Sequence, residues 1–122
     1  MQLADREADV MAVLWEHGPS TVAEVREKIA DELAYTTVLT TLRNLEAKGH
    51  VGHEEEGRAH RYKALVARDV ARRSALRHLA GKLFKGSPAL LLTHLVADGD
   101  LSNEDIERIR KLLKAKARSN SP

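Results

Sequence analysis

Apolar residues recur at helical spacing from the start of the chain. Leu3, Val10, Val13 and Leu14, with Ala8, Met11 and Trp15 beside them, predict a helix over residues 4–17. Gly18-Pro19 stops it, because glycine accepts a left-handed cap and proline cannot continue a helix. A second helix opens at Thr21, whose spacing to Glu24 is that of a capping box. Its apolar positions are Val22, Val25, Ile29 and Leu33. A third runs from Tyr35 or Thr36 to Lys48, with Gly49 as its C-terminal cap. At about 100° per residue, Val38, Leu42, Leu45 and Gly49 share one stripe, with Leu39 at its edge. Thr36, Thr37, Thr40, Arg43, Asn44 and Ala47 fall on the opposite face, and Lys48 lies at the margin.

The period then shortens to two. Strands are predicted at Val51–Glu55 and Arg58–Ala64, joined by Glu56-Gly57. Alternation puts His60 and Tyr62 on one face of the second strand and Ala59, Arg61 and Lys63 on the other. Three helices followed by a hairpin is the layout of a winged helix. The fold class expected is mainly α with a small β-hairpin: a winged helix-turn-helix domain with a C-terminal helical arm.

From Ala67 onward the composition shifts to helix formers. One helix is expected from Arg68 to about Phe84, with Leu76, Leu79, Ala80 and Leu83 on a stripe. Gly86-Ser87-Pro88 breaks it, Ser87 serving as cap and Pro88 as first helical residue of the next. That short helix carries Leu90, Leu91, Leu92, Leu95 and Val96 and ends at Asp98-Gly99-Asp100. Ser102 and Asp105 start a last helix with Ile106, Ile109, Leu112 and Leu113 on its apolar face. These stripes are too few to bury one another within one chain, and a second copy is the economical cover. Leu91, Leu92, Leu95, Ile106, Ile109 and Leu113 are the residues expected to dimerise. The expected organisation is therefore 1–65 as winged-helix domain, 66–118 as dimerisation region and 119–122 as a frayed tail.

Composition narrows the function classes. The chain has no cysteine, which removes disulfides, zinc fingers and thiol catalysis. The N-terminus lacks the pattern of a signal peptide, and no apolar run approaches a bilayer span. A cytoplasmic protein without membrane insertion is expected. No Gly-rich phosphate loop, paired carboxylates in a pocket or nucleophile motif is present, so no enzyme and no cofactor are expected. His50, His53 and His60 gather near the hairpin but read better as surface histidines than as a metal site. Trp15 and Tyr62 read as core anchors. The basic face of the fourth helix, Arg68, Arg72, Arg73 and Arg77, fits a solvated linker or additional phosphate contacts.

The net charge of +2 conceals an asymmetry. Residues 1–64 hold 8 Lys/Arg and 12 Asp/Glu, and residues 65–122 hold 12 and 6. The N-terminal part is thus not a simple basic footprint. The features that favour nucleic acid are local. The third helix bears four threonines, an arginine and an asparagine, although threonine is a mediocre helix former. Short hydroxyls approach phosphates or bases closely, a threonine methyl packs on a thymine methyl, Arg43 can fork onto guanine and Asn44 can pair with adenine. The DNA-binding set expected is Thr36, Thr37, Thr40, Arg43, Asn44, Lys48, Arg58 and Arg61, the last two on the wing. Glu54-Glu55-Glu56 beside the wing counts against it. The alternative is a winged-helix protein-interaction module that does not bind DNA.

The run Leu14-Trp15-Glu16, Gly18-Pro19-Ser20-Thr21-Val22, then Tyr35-Thr36-Thr37-Val38, Thr41-Leu42, Leu45, Lys48-Gly49, then Gly57-Arg58 and Tyr62 resembles the BlaI/MecI/CopY family of bacterial repressors. Asp100-Leu101-Ser102 with Ile106 resembles the family's dimerisation arm. The resemblance implies a transcriptional repressor, a homodimer on a palindromic operator, with the third helix in the major groove and the wing on backbone. In the family's β-lactam branch it further implies a membrane sensor protease and cleavage of the arm at an Asn-Phe bond. The aligned pair here is His94-Leu95, which departs from that bond. The copper branch binds metal through C-terminal cysteines, which this chain lacks.

Overall fold

The computed structural model describes residues 2–120. The elements follow in the order α1 (Asp5–His17), β1 (Ser20–Thr21), α2 (Val22–Lys28), α3 (Tyr35–Ala47), β2 (Val51–Glu56), β3 (Ala59–Ala64), α4 (Arg68–Leu83), α5 (Pro88–Ala97) and α6 (Asn103–Ser119). Two compact units are formed, one ending at His78 and one beginning at Leu79.

The first unit is a winged helix. Its core gathers Val10, Met11, Val13 and Leu14 from α1, Val22 and Val25 from α2, and Val38, Leu42 and Leu45 from α3. Ile29, Val51 and Tyr62 complete it, and Leu3, Trp15, Leu33 and Leu39 pack against it half-buried. The helical periodicity therefore selects the buried face in all three helices. Trp15 and Tyr62 serve as anchors: Tyr62 is 2 % exposed, and the Trp15 indole N–H donates to the Val66 carbonyl at 2.9 Å. Arg68 lies over the Trp15 ring, 5.6 Å from its centroid. These contacts, with the buried Ala71, account for the inclusion of the start of α4 in this unit rather than a boundary at 65.

The sheet has three strands in the order β1-β3-β2, all pairs antiparallel. Two strands were expected; the third is the two-residue β1, in which Ser20 pairs with Tyr62 and Thr21 with Arg61. The hairpin register pairs Glu56 with Ala59. The turn residues are therefore Gly57-Arg58, one position beyond the expected Glu56-Gly57. Gly57 has φ +61°, the conformation a two-residue hairpin loop requires at its first central position. This shift takes Arg58 out of the strand and places it at the tip.

In the second unit, Ser87 caps α5, its hydroxyl accepting from the Leu90 amide at 3.1 Å, with Pro88 in the first turn. Ser102 and Asp105 form the expected reciprocal cap on α6. That helix runs to Ser119, past the arm boundary expected at 118, and Asn120 closes it. The remainder of the expected tail, residues 121–122, lies outside the described residues. No residue of α5 or α6 is fully buried.

Candidate nucleic-acid interface

Helix α3 is fixed from beneath by Val38, Leu42 and Leu45, each 0 % exposed. Its opposite face is Thr36, Thr37, Thr40, Arg43, Asn44 and Ala47, all exposed, as the periodicity predicts. The fourth threonine departs from this group. Thr41 is buried, and its hydroxyl donates to the Thr37 carbonyl at 2.8 Å. The outward face is free of carboxylates. Glu46, the helix's one acid, is half-buried and bound to the His53 imidazole of β2. The Arg43 guanidinium makes no ion pair among the described residues.

At the hairpin tip Arg58 is exposed, again without an ion pair among the described residues. The other two cations expected at this surface are engaged. Lys48, just past α3, donates to both Glu7 oxygens at 2.8 Å. Arg61 donates from Nη1 and Nη2 to the two oxygens of Glu24, at 3.2 and 3.1 Å. It also donates from Nη1 to the Pro19 carbonyl at 3.1 Å and from Nε to Glu56. The Arg61 hydrogen bond holds the Glu24 carboxyl below its ordinary value, and Glu24 in turn pushes the Arg61 guanidinium up.

The partners Glu7, Glu24 and Glu46 escaped sequence reasoning. Glu24 was expected to complete the Thr21 capping box. Its amide does donate to the Thr21 hydroxyl at 3.2 Å, but its carboxylate turns to Arg61 instead.

Two of the three glutamates that end β2 have cationic partners within the hairpin. Glu54 pairs with Lys63 at 3.3 Å and Glu56 with Arg61. His53 and His60 stack at 4.3 Å with their planes 11° apart. Among the described residues no group of three His, Cys, Asp or Glu side chains could hold a metal. On α4, Arg72 pairs with Asp69 at 3.8 Å, and Arg73 donates to the Asp69 carbonyl at 3.4 Å.

In the second unit the residues expected to dimerise divide in two. Leu91, Leu92 and Ile109 are half-buried, whereas Leu95, Ile106 and Leu113 are exposed, Leu95 and Leu113 by 55 % each. Val96, Leu101, Ile106, Ile109 and Leu113 line an apolar groove of about 210 Å³, rimmed by Arg110. Among the described residues no helix is long and apolar enough to cross a membrane.

A family model described as penicillinase repressor matches residues 3–115. The chain belongs to the penicillinase repressor family. It is 23 % identical over 117 residues to the methicillin resistance regulatory protein MecI of Staphylococcus aureus, covering 94 % of this chain and 95 % of that protein. To the penicillinase repressor of Bacillus licheniformis it is 24 % identical over 114 residues, covering 92 % and 89 %. The transcriptional regulator BlaI of Mycobacterium tuberculosis is 42 % identical over 71 residues, 56 % of this chain and 51 % of that one. Among solved structures, a MarR family protein from Bacillus stearothermophilus has a similar fold, with TM-score 0.53 at 17 % identity over 98 % of this chain and 76 % of its own. A mutant of ZitR from Lactococcus lactis has TM-score 0.51 at 21 % identity, covering 99 % and 77 %. This member of the penicillinase repressor family is thus a winged-helix transcriptional repressor, and its relatives are regulators rather than enzymes.

Proposed function

We propose that this repressor is cytoplasmic and binds a palindromic operator as a homodimer, α3 entering the major groove and the tip of the wing resting on backbone. The observation that carries the reading is the outward face of α3: Thr36, Thr37, Thr40, Arg43 and Asn44 are exposed together, with no carboxylate among them. A two-fold dimer would present two such helices to half-sites one helical turn apart, about 34–36 Å. The second copy is proposed to cover the apolar side chains left open on α5 and α6. Each large aliphatic residue so covered would contribute about 1.5–3 kcal/mol if fully buried.

Part of the acid excess of the first half is paired within the unit. Glu7, Glu24, Glu46, Glu54 and Glu56 each have a basic or imidazole partner within the unit. Relief of repression by cleavage of the arm, with a membrane sensor protease as partner, follows from the sequence resemblance. It would act near His94-Leu95, an exposed pair within α5. The test of DNA binding is titration of duplex DNA from the protein's own promoter region across several salt concentrations. Thr40→Ala with Arg43→Ala should abolish the footprint while leaving the fold intact. An unchanged footprint would move recognition away from α3.

A further inference from the structure

Arg61 stands at the last position where the hairpin has support from a third strand. β1 pairs only with Tyr62 and Arg61. Beyond them, toward the tip, β2 and β3 continue alone through the pairs His60 with Glu55 and Ala59 with Glu56. Two strands by themselves are marginally stable in water. The tip is also where Arg58 sits, so its reach depends on how firmly the hairpin is held.

The Arg61 side chain supplies that hold. It lies on the face of β3 opposite Tyr62, beside Thr21. Three of its nitrogens are engaged at once: Nη1 and Nη2 by Glu24, Nη1 also by the Pro19 carbonyl, and Nε by Glu56. It thus joins the wing to the first turn of α2 and to the turn before β1. A planar guanidinium met by a carboxylate on its fork is geometrically fixed in a way that an ammonium is not. Two carboxylates share this one cation, so the local charge is negative. A phosphate arriving there would displace an existing partner and meet the freed carboxylate. Across the hairpin, His53 makes a matching connection to Glu46 of α3.

We infer that Arg61 is a positioning residue that sets the wing's orientation through Glu24, and that it does not itself neutralise a phosphate. The inference rests on the DNA-binding reading for its consequence, though not for the strut itself. It assigns Glu24, an acid in a DNA-binding unit, a role that favours binding.

The two roles differ in the sign of the Glu24 effect. Wild type, Arg61→Gln, Arg61→Lys, Glu24→Gln and the double Gln variant are titrated with operator and with non-specific duplex over a salt series. If Arg61 positions the wing, Arg61→Gln and Glu24→Gln each weaken operator binding by about fivefold or more, the low end of ordinary coupling between sites. The double variant is no worse than the poorer single, Arg61→Lys fails to rescue, and the salt slope holds. If Arg61 neutralises a phosphate, Arg61→Gln lowers the salt slope by about one and weakens all sequences alike. Arg61→Lys then rescues, and Glu24→Gln tightens binding; these results overturn the proposal. Amide exchange supplies a readout that needs no DNA. Exchange at residues 53–60 should accelerate in both single Gln variants while the core of α1 and α3 stays protected. Unchanged exchange at the tip overturns the strut even where operator selectivity proves absent.

Discussion

Lys48 donates to both carboxylate oxygens of Glu7, at 2.8 Å each, and so ties the end of α3 to the first turn of α1. Glu7 also accepts the Ala4 amide at 2.9 Å. A carboxylate near a helix N-terminus and an ammonium near a helix C-terminus are each favoured by the local backbone dipoles. The pair therefore complements two helices at once and fixes the end of the proposed recognition helix to the scaffold. Lys48, expected to meet DNA, has its ammonium engaged in this anchorage.

Burial alone would raise the Glu7 carboxyl, but the Lys48 hydrogen bond, the Ala4 amide and the charges of Lys48 and His50 outweigh it and leave the group lowered. A depressed carboxyl contributes stability above its unfolded value and loses it as the pH falls through the folded one. Lys48→Met leaves Glu7 buried without its cation, and we expect a loss of about 1–3 kcal/mol at neutral pH. The gap in urea midpoint between variant and wild type should narrow as the pH drops below 4.5, the ordinary glutamate value. A gap that stays constant across that range would separate the stability loss from the ion pair.

Arg58 gives the simplest electrostatic prediction. It is exposed at the wing tip, so Arg58→Gln should leave the thermal midpoint unchanged. Binding should weaken equally on operator and non-specific duplex, and the salt slope should fall by about 0.9, as for one lost phosphate contact. Anisotropy titrations at several salt concentrations measure this directly. A loss confined to the operator would instead place Arg58 against a base edge.

Thr40 and Thr41 are neighbours with opposite expected behaviour. Thr41→Val removes a hydrogen bond from a buried site and should cost about 0.5–1.5 kcal/mol, without altering sequence preference. Thr40→Ala, on the exposed face, should cost little stability and reduce discrimination between operator and non-specific DNA. Denaturant unfolding and competition binding on the two variants test the assignment of faces on α3.

The proposed dimer can be tested on the full chain. Leu95 and Leu113 are each 55 % exposed in a single copy. Replacing both by Glu should shift sedimentation to the monomer and weaken operator binding through lost avidity. Because both residues belong to the second unit, the thermal signature of the winged-helix core should persist. A dimer that survives the double substitution would place the interface elsewhere.

Local patterns carried most of the first unit. The spacing of Val10, Met11, Val13 and Leu14, and of Val38, Leu42 and Leu45, specified which faces are buried, because helix periodicity and core burial coincide there. Thr41 fits the same geometry, three residues from Val38 and four from Leu45. Grouping the threonines by composition obscured this. Strand β1 was illegible because two residues have no period, and it exists only through Tyr62 and Arg61 across the sheet. The destinations of the charged groups were also hidden. Arg61 meets Glu24 across 37 positions and Lys48 meets Glu7 across 41, and residue type alone does not reveal such partners. The turn shift that brought Arg58 to the tip depends on strand register, which alternation constrains only to the nearest residue.

In the order β1-β3-β2, β2 forms an open border of the sheet, and an open border invites strands from other molecules to add to it and propagate aggregates. Glu54, Glu55 and Glu56 are all exposed there, so an incoming copy of the same strand would align like charges against like. On the opposite side β1 covers β3 only at Arg61 and Tyr62, which leaves open just the short flanking stretches of β3, too short to template an addition. The glutamates that detract from the wing's attraction to a polyanion thus protect a small sheet from self-association when the protein is concentrated on its target.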